Sequence, residues 1–335
     1  MSRGSRSDCR LALVAIGLLG GALLSFRSTQ GSAIPQGHAI SAKAGQLRRD
    51  ARIIWDPEIL VSRNEDFAHV ETMIAANPAN PQHLLASCII TPKDGKGGFL
   101  FRTRAYVSRD AGKSWKASPL RDENLWDPVV AFTPRGTALF LSLPGKGLCV
   151  FRSGDGGITW KDRADLAYTM APMIAVDWTS GERRGHIYIA GRGAGRADAS
   201  IVVHRSADDG RTFDTTVVIK ETHLGQALNP IVLRDGTLFV PFSSVADKEV
   251  EQIDSVLSSD GGQTFSQPSR IATRHMDTKG RYGDWSPAVF AAGVHAGKER
   301  LYAVYGVCRD NANARLVLTR SDDAGRTWSE PRDIA

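Results

Sequence analysis

Short runs in which hydrophobic and polar residues alternate recur along this chain, "FLFRTRAYVS" (99–108), "SIVVHRS" (200–206) and "ARLVLTRS" (314–321) among them. Period-two alternation is the pattern of a strand with one buried face, and glycine-rich stretches between the runs read as turns. Few segments beyond residue 33 carry a helical period, so the prediction is an all-β protein.

Each of these runs leads into the same eight-residue stretch. It reads "SRDAGKSW" from Ser108, "SGDGGITW" from Ser153, "SADDGRTF" from Ser206, "SSDGGQTF" from Ser258 and "SDDAGRTW" from Ser321. The spacings of 45, 53, 52 and 63 residues suit a repeated supersecondary unit, and four short strands per unit make a propeller blade. Within the octapeptide, Ser and Asp can accept backbone N–H bonds. The fifth-position glycine (Gly112, Gly157, Gly210, Gly262, Gly325) supplies a positive φ, and the closing Trp or Phe can anchor between strands. Asp110, Asp155, Asp208, Asp260 and Asp323 are therefore read as structural. A second repeat marks the strand that opens each unit: "ETMIAA" at Glu71, "DPVVAF" at Asp127, "APMIAV" at Ala171, "NPIVL" at Asn229 and "SPAVFA" at Ser286. These are expected to line a central channel, with proline tolerated at a strand's first residue.

The S-x-D-x-G-x-[ST]-[WF] octapeptide resembles the Asp box, or bacterial-neuraminidase repeat, of the sialidase-like propellers. That resemblance implies a turn between the third and fourth strands of each blade, on the face opposite the active site. Five blades are expected over about 68–120, 125–168, 169–222, 226–273 and 282–335, within a propeller domain spanning 51–335. "ARIIWDPEILVSR" (51–63) reads as a lone strand before the first blade. With five blades visible, the reading is a six-bladed, sialidase-like type whose sixth blade is incomplete in this sequence; a five-bladed ring is the alternative.

The N-terminus requires separate treatment. Arg3, Arg6 and Arg10 precede the apolar run Leu11–Ser25, and the small residues Gly31, Ser32 and Ala33 follow. That order is a secretory signal over 1–33, with an uncleaved anchor as the alternative and 34–50 as a linker. The run is short of the roughly 20 residues a bilayer span takes. Secretion or another extracytoplasmic location is the expectation. Loss of four arginines and one aspartate with the signal would leave 38 basic against 35 acidic side chains, without a basic cluster, so nucleic acid is not an expected partner. Cys88, Cys149 and Cys308 lack metal-ligand spacing and read as small buried hydrophobes, with room for one bridge. No histidine pattern supports a metal, and no cofactor is expected.

Candidate chemistry belongs to the loops between blades and between second and third strands, which emerge at one mouth. For a sialidase, the resemblance implies arginines for the substrate carboxylate, a tyrosine nucleophile with an acidic partner, and a further acid. Arg192, Arg281 and Arg309 are the candidate clamp, with Asp284 and Trp285 beside it. Tyr282 is the candidate nucleophile, Glu71 its base and Asp127 the general acid. The chain departs from the family where the first blade ordinarily opens on a Phe/Tyr-Arg-Ile-Pro motif; "DFAHVETMI" has no arginine. Three readings follow: an exo-α-sialidase-type glycoside hydrolase acting on terminal acidic sugars, a non-catalytic propeller binding glycan or protein at the cell surface through aromatics such as Trp126 and Trp285, and an assembly factor resembling the propellers that bind photosystem proteins.

Overall fold

The computed structural model describes residues 59–334 apart from 63–66, 94, 96–97, 99, 121–124, 146, 194–198, 221–223, 248–249, 276–286 and 309–313. The described residues form five antiparallel sheets and no helix. Blade 1 holds β1 (Ala68–Asn77), β2 (Asn80–Thr91), β3 (Arg102–Ser108) and β4 (Lys116–Pro119). Blade 2 holds β5 (Trp126–Phe132), β6 (Ala138–Leu143), β7 (Leu148–Ser153) and β8 (Asp162–Leu166). Blade 3 holds β9 (Thr169–Val176), β10 (Ile187–Gly193), β11 (Ser200–Ser206) and β12 (Asp214–Lys220). In blade 4 the innermost strand is split into β13 (Leu224–Ala227) and β14 (Ile231–Val232), followed by β15 (Leu238–Asp247), β16 (Val250–Ser258) and β17 (Ser269–His275). Blade 5 holds β18 (Val289–His295), β19 (Lys298–Cys308), β20 (Ala314–Ser321) and β21 (Arg332–Asp333). The sequence boundaries and these blades agree closely. Five blades are described where a six-bladed type with an incomplete sixth was expected; most of the lone strand (51–63) lies outside the described residues, and 59–62 form no strand.

The core is divided among the seams between consecutive blades. Leu85, Ala105 and Val107 of blade 1 meet Val130, Phe132, Phe140 and Phe151 of blade 2. Leu139, Leu141 and Val150 meet Ile187 and Ile189 of blade 3. Ala190, Ile201 and Val203 meet Leu238, Val240 and Phe242 of blade 4, and Phe239 and Ile253 meet Phe290, Leu301 and Tyr305 of blade 5. Strands β6 and β7 are buried at every residue because both their faces lie in seams. Fully burying one such side chain stabilises by about 1.5–3 kcal/mol. Cys88 and Cys149 are buried, as small hydrophobes would be.

All five octapeptides sit between the third and fourth strands of their blades, and they share one hydrogen-bond pattern. In the third copy, Ser206 Oγ accepts the Gly210 N–H (2.9 Å) and donates to Asp208 Oδ1 (2.8 Å). Asp208 then accepts the Thr212 N–H (2.9 Å) and hydroxyl (2.7 Å). Two successive residues are left-handed, the fourth as well as the predicted fifth: Asp209 (φ 65°) and Gly210 (φ 80°) here, Ala111 and Gly112 in the first copy, Ala324 and Gly325 in the last. The double left-handed step pushes the turn against the preceding blade. The Gly156 carbonyl reaches His83 Nε2 (2.8 Å), and Arg109 donates to the Asp155 carbonyl (2.6 Å). Closing aromatics complete the same seams: Trp160 packs with the blade 1–2 cluster, Phe213 with 2–3, Phe265 with 3–4 and Trp328 with 4–5. In blades 2 to 5 the octapeptide clips each blade to its predecessor, whereas Trp115 of the first copy packs within blade 1.

Two expected results follow. A Cβ at Gly157 (φ 95°) would lie 2.8 Å from Leu85 Cδ1, whereas one at Gly136 (φ 84°) meets nothing within 4 Å. Gly136→Ala therefore carries only backbone strain, about 1 kcal/mol. Gly157→Ala adds an opened seam and should melt clearly lower in parallel thermal scans.

The second result concerns acid. The Ser114 hydroxyl and N–H hold Asp110 at about 2. Partial burial pushes Asp208 up, but the N–H and hydroxyl of Thr212 outweigh it and leave the carboxyl at about 2. A carboxyl depressed in the folded state contributes stability above its unfolded value, and that contribution is lost as pH falls through the folded value. The urea midpoint should thus hold near neutrality and drop between about pH 4 and about pH 2. Ser206→Ala, which removes one of the donors to Asp208, should reduce that drop.

Candidate active site

The innermost strands β1, β5 and β9 each carry a bulge at the same step. Pairing skips from Val70 to Met73 in β1, from Trp126 to Val129 in β5, and from Met170 to Met173 in β9. The first residue of each bulge is left-handed: Glu71 (φ 53°), Asp127 (φ 50°) and Ala171 (φ 48°). Such a conformation costs a non-glycine residue about 1–2 kcal/mol, and its recurrence on three neighbouring blades makes it a built feature. The sequence placed Pro128 and Pro172 at the head of a strand. Both strands in fact begin earlier, and the prolines fall in the bulge, where no ladder N–H is needed.

The bulge brings the two predicted carboxylates together at the mouth opposite the octapeptide turns. Burial pushes Glu71 above its ordinary range, and the neighbouring charge of Asp127 pushes it further. Burial also raises Asp127, against the opposing pull of the Ala171 N–H, which donates to Asp127 Oδ2 at 3.2 Å. Two coupled carboxyls in a partly desolvated site can divide the roles of proton donor and acceptor.

Arg192 lies on the adjoining blade, where β10 pairs it with Met170 of β9, so both side chains leave the same face of the sheet. Among the described residues Arg192 makes no ion pair. Arg281, Tyr282, Asp284, Trp285 and Arg309 fall outside the described residues. Phe101 was not among the residues expected at the site; its ring stacks on Trp126 at 4.5 Å between centroids, and the pair joins the residue before β3 to the first residue of β5 on a different blade, which no local pattern reveals. Among the described residues no cluster of His, Cys, Asp and Glu could hold a metal ion, and no helix is long and apolar enough to cross a membrane.

No family model and no curated protein matches the chain. Solved structures do. The intramolecular trans-sialidase from Ruminococcus gnavus superposes with a TM-score of 0.58 at 12% identity, covering 80% of this chain and 85% of that one. The NanB sialidase from Streptococcus pneumoniae gives 0.56 at 11%, covering 83% of this chain and 64% of that one. A protein of unknown function from Dyadobacter fermentans gives 0.55 at 17%, covering 83% and 85%. The chain has the sialidase-like β-propeller fold. At these identities the likeness is one of fold.

Proposed function

We propose that this protein is a secreted glycan-active propeller of the exo-α-sialidase type, acting on terminal acidic sugars. The observation that carries the reading is the Glu71–Asp127 pair: two carboxylates on neighbouring blades, both raised, both held at a left-handed bulge at one mouth. In this reading Asp127 in its acid form protonates the departing glycosidic oxygen. Tyr282 attacks the anomeric carbon and gives its phenolic proton to Glu71; a tyrosine suits a substrate whose own carboxylate would repel an anionic nucleophile. Water then attacks the tyrosyl intermediate, loses its proton to the Asp127 carboxylate, and Glu71 returns the proton to Tyr282. In the same reading Arg192, Arg281 and Arg309 hold the substrate carboxylate, and Asp284 and Trp285 are the further candidate contacts.

The test is hydrolysis of a fluorogenic sialoside by the purified, cooperatively melting protein. Turnover that disappears in Tyr282→Phe supports both the reaction and its nucleophile. Turnover that survives overturns the assignment of Tyr282. A folded protein without turnover overturns the hydrolase and leaves the glycan-binding propeller.

A further inference from the structure

One residue before each left-handed position, three consecutive blades set an apolar side chain facing water: Val70 is 37% exposed, Trp126 40% and Met170 44%. Large apolar surface held open on rigid strands is more informative than a single stray leucine, because the fold could have turned it inward. Trp126 is the best fixed of the three. Its carbonyl accepts the Ser142 hydroxyl at 2.7 Å, and its indole lies on Phe101 of blade 1 with only 24° between the ring planes. One face is thereby covered and the ring orientation set. The next residue along the chain is Asp127.

We infer that Trp126 is a platform for a pyranose ring of the bound glycan, taken through the sugar's C–H face; the inference rests on the function proposed above and names the ring shape the site selects. The indole face is electron-rich, and the C–H hydrogens of a pyranose chair present a flat, weakly positive patch to it. The hydroxyl rim of the same ring then reaches the carboxylates beside the platform, which accept its hydrogen bonds. Val70 and Met170 flank the ring with apolar contact. A furanose ring is smaller and puckered, and it presents no comparable flat patch.

Saturation-transfer NMR and calorimetric titration of the full-length chain with 3′-sialyllactose, lactose and methyl arabinofuranoside test this. The expected result is strongest transfer to the C–H protons of one pyranose ring and weak binding of the furanoside. Trp126→Ala should weaken the pyranose ligands about tenfold, the scale of one aromatic stacking contact. Trp126→Phe should recover affinity to within about threefold, since it keeps a ring on Phe101. Unchanged affinity in a folded Trp126→Ala protein that still binds sialyllactose overturns the platform and leaves the glycan function standing. Equal binding of the furanoside through Trp126 overturns the ring-shape assignment. A folded wild-type chain that binds none of the three overturns the glycan reading and the platform with it.

Discussion

Asp209→Ala should cost about 3 kcal/mol and lower the melting temperature by roughly 10 °C. Asp209 belongs to the octapeptide turn of blade 3, but its carboxylate works in blade 2. It accepts the hydroxyls of Thr133 (2.7 Å) and Thr137 (2.6 Å) and pairs with Arg152 at 3.1 Å, while the Asp209 carbonyl accepts Arg152 Nε at 2.7 Å. Both charged side chains are nearly sealed, at 9% and 6% exposure. Removing one leaves the other desolvated, and breaking a buried pair costs about 3–5 kcal/mol. The lower end applies because Arg152 also reaches Asp162 at 2.9 Å, and that carboxylate stands in water at 69% exposure. Two controls separate the causes. Asp209→Gly loses the carboxylate but relaxes the φ of 65°, so it should retain about 1 kcal/mol relative to alanine. Asp209→Ala combined with Arg152→Met removes the stranded charge and should recover part of the loss. A single mutant that melts like the parent would mean the seam is held by its apolar contacts alone.

The second large effect falls at the other face. Asp127→Asn should reduce turnover of a sialoside by about 10²–10⁴-fold, the usual contribution of a positioned general acid. The amide should still accept the Ala171 N–H, so the melt should not fall. Glu71→Gln should go further and raise the melting temperature at neutral pH. A carboxyl raised in the folded state binds its proton more tightly there than in the unfolded chain. Stability therefore drops as pH climbs through the raised value, and at neutrality the ionised group is a net cost. A neutral glutamine removes that cost while keeping the side chain's length. Loss of activity with a gain in stability is the signature expected of a residue kept for chemistry. A Glu71→Gln protein that melts lower would show the carboxylate to be a structural partner.

How much of this could be read from the chain varies with the physics. The blades were legible because strand alternation and the octapeptide are local patterns, and local patterns survive in a linear text. Glu71 and Asp127 were legible for the same reason, as the polar residue that opens a recurring apolar run. The left-handed fourth residue of each turn was not legible, because the position is occupied by Ala111, Gly156, Asp209, Gly261 and Ala324 and no single residue type advertises it. Nor were the bulges: "DPVVAF" and "APMIAV" read as strand starts, and only pairing with the next strand shows that the ladder began before them. The Arg152–Asp209 bond joins residues 57 apart, and the Phe101–Trp126 stack depends on two blades lying side by side. Contacts of that kind are consequences of the fold and have no trace in sequence spacing.

The separation of clips from mouth has an evolutionary consequence. The described strands of the propeller run between a face where the turn grammar is fixed by hydrogen bonds within the turns and between blades and a face where bulged strands form the proposed ligand mouth. Substitutions at the second face leave the first undisturbed, because the seams between them are already complete. A lineage can therefore exchange its mouth residues one blade at a time, losing an arginine from the first blade or gaining a tryptophan on the second, and still inherit a folded protein. Such a scaffold is evolvable in the strict sense: its chemistry can be rewritten without renegotiating its architecture.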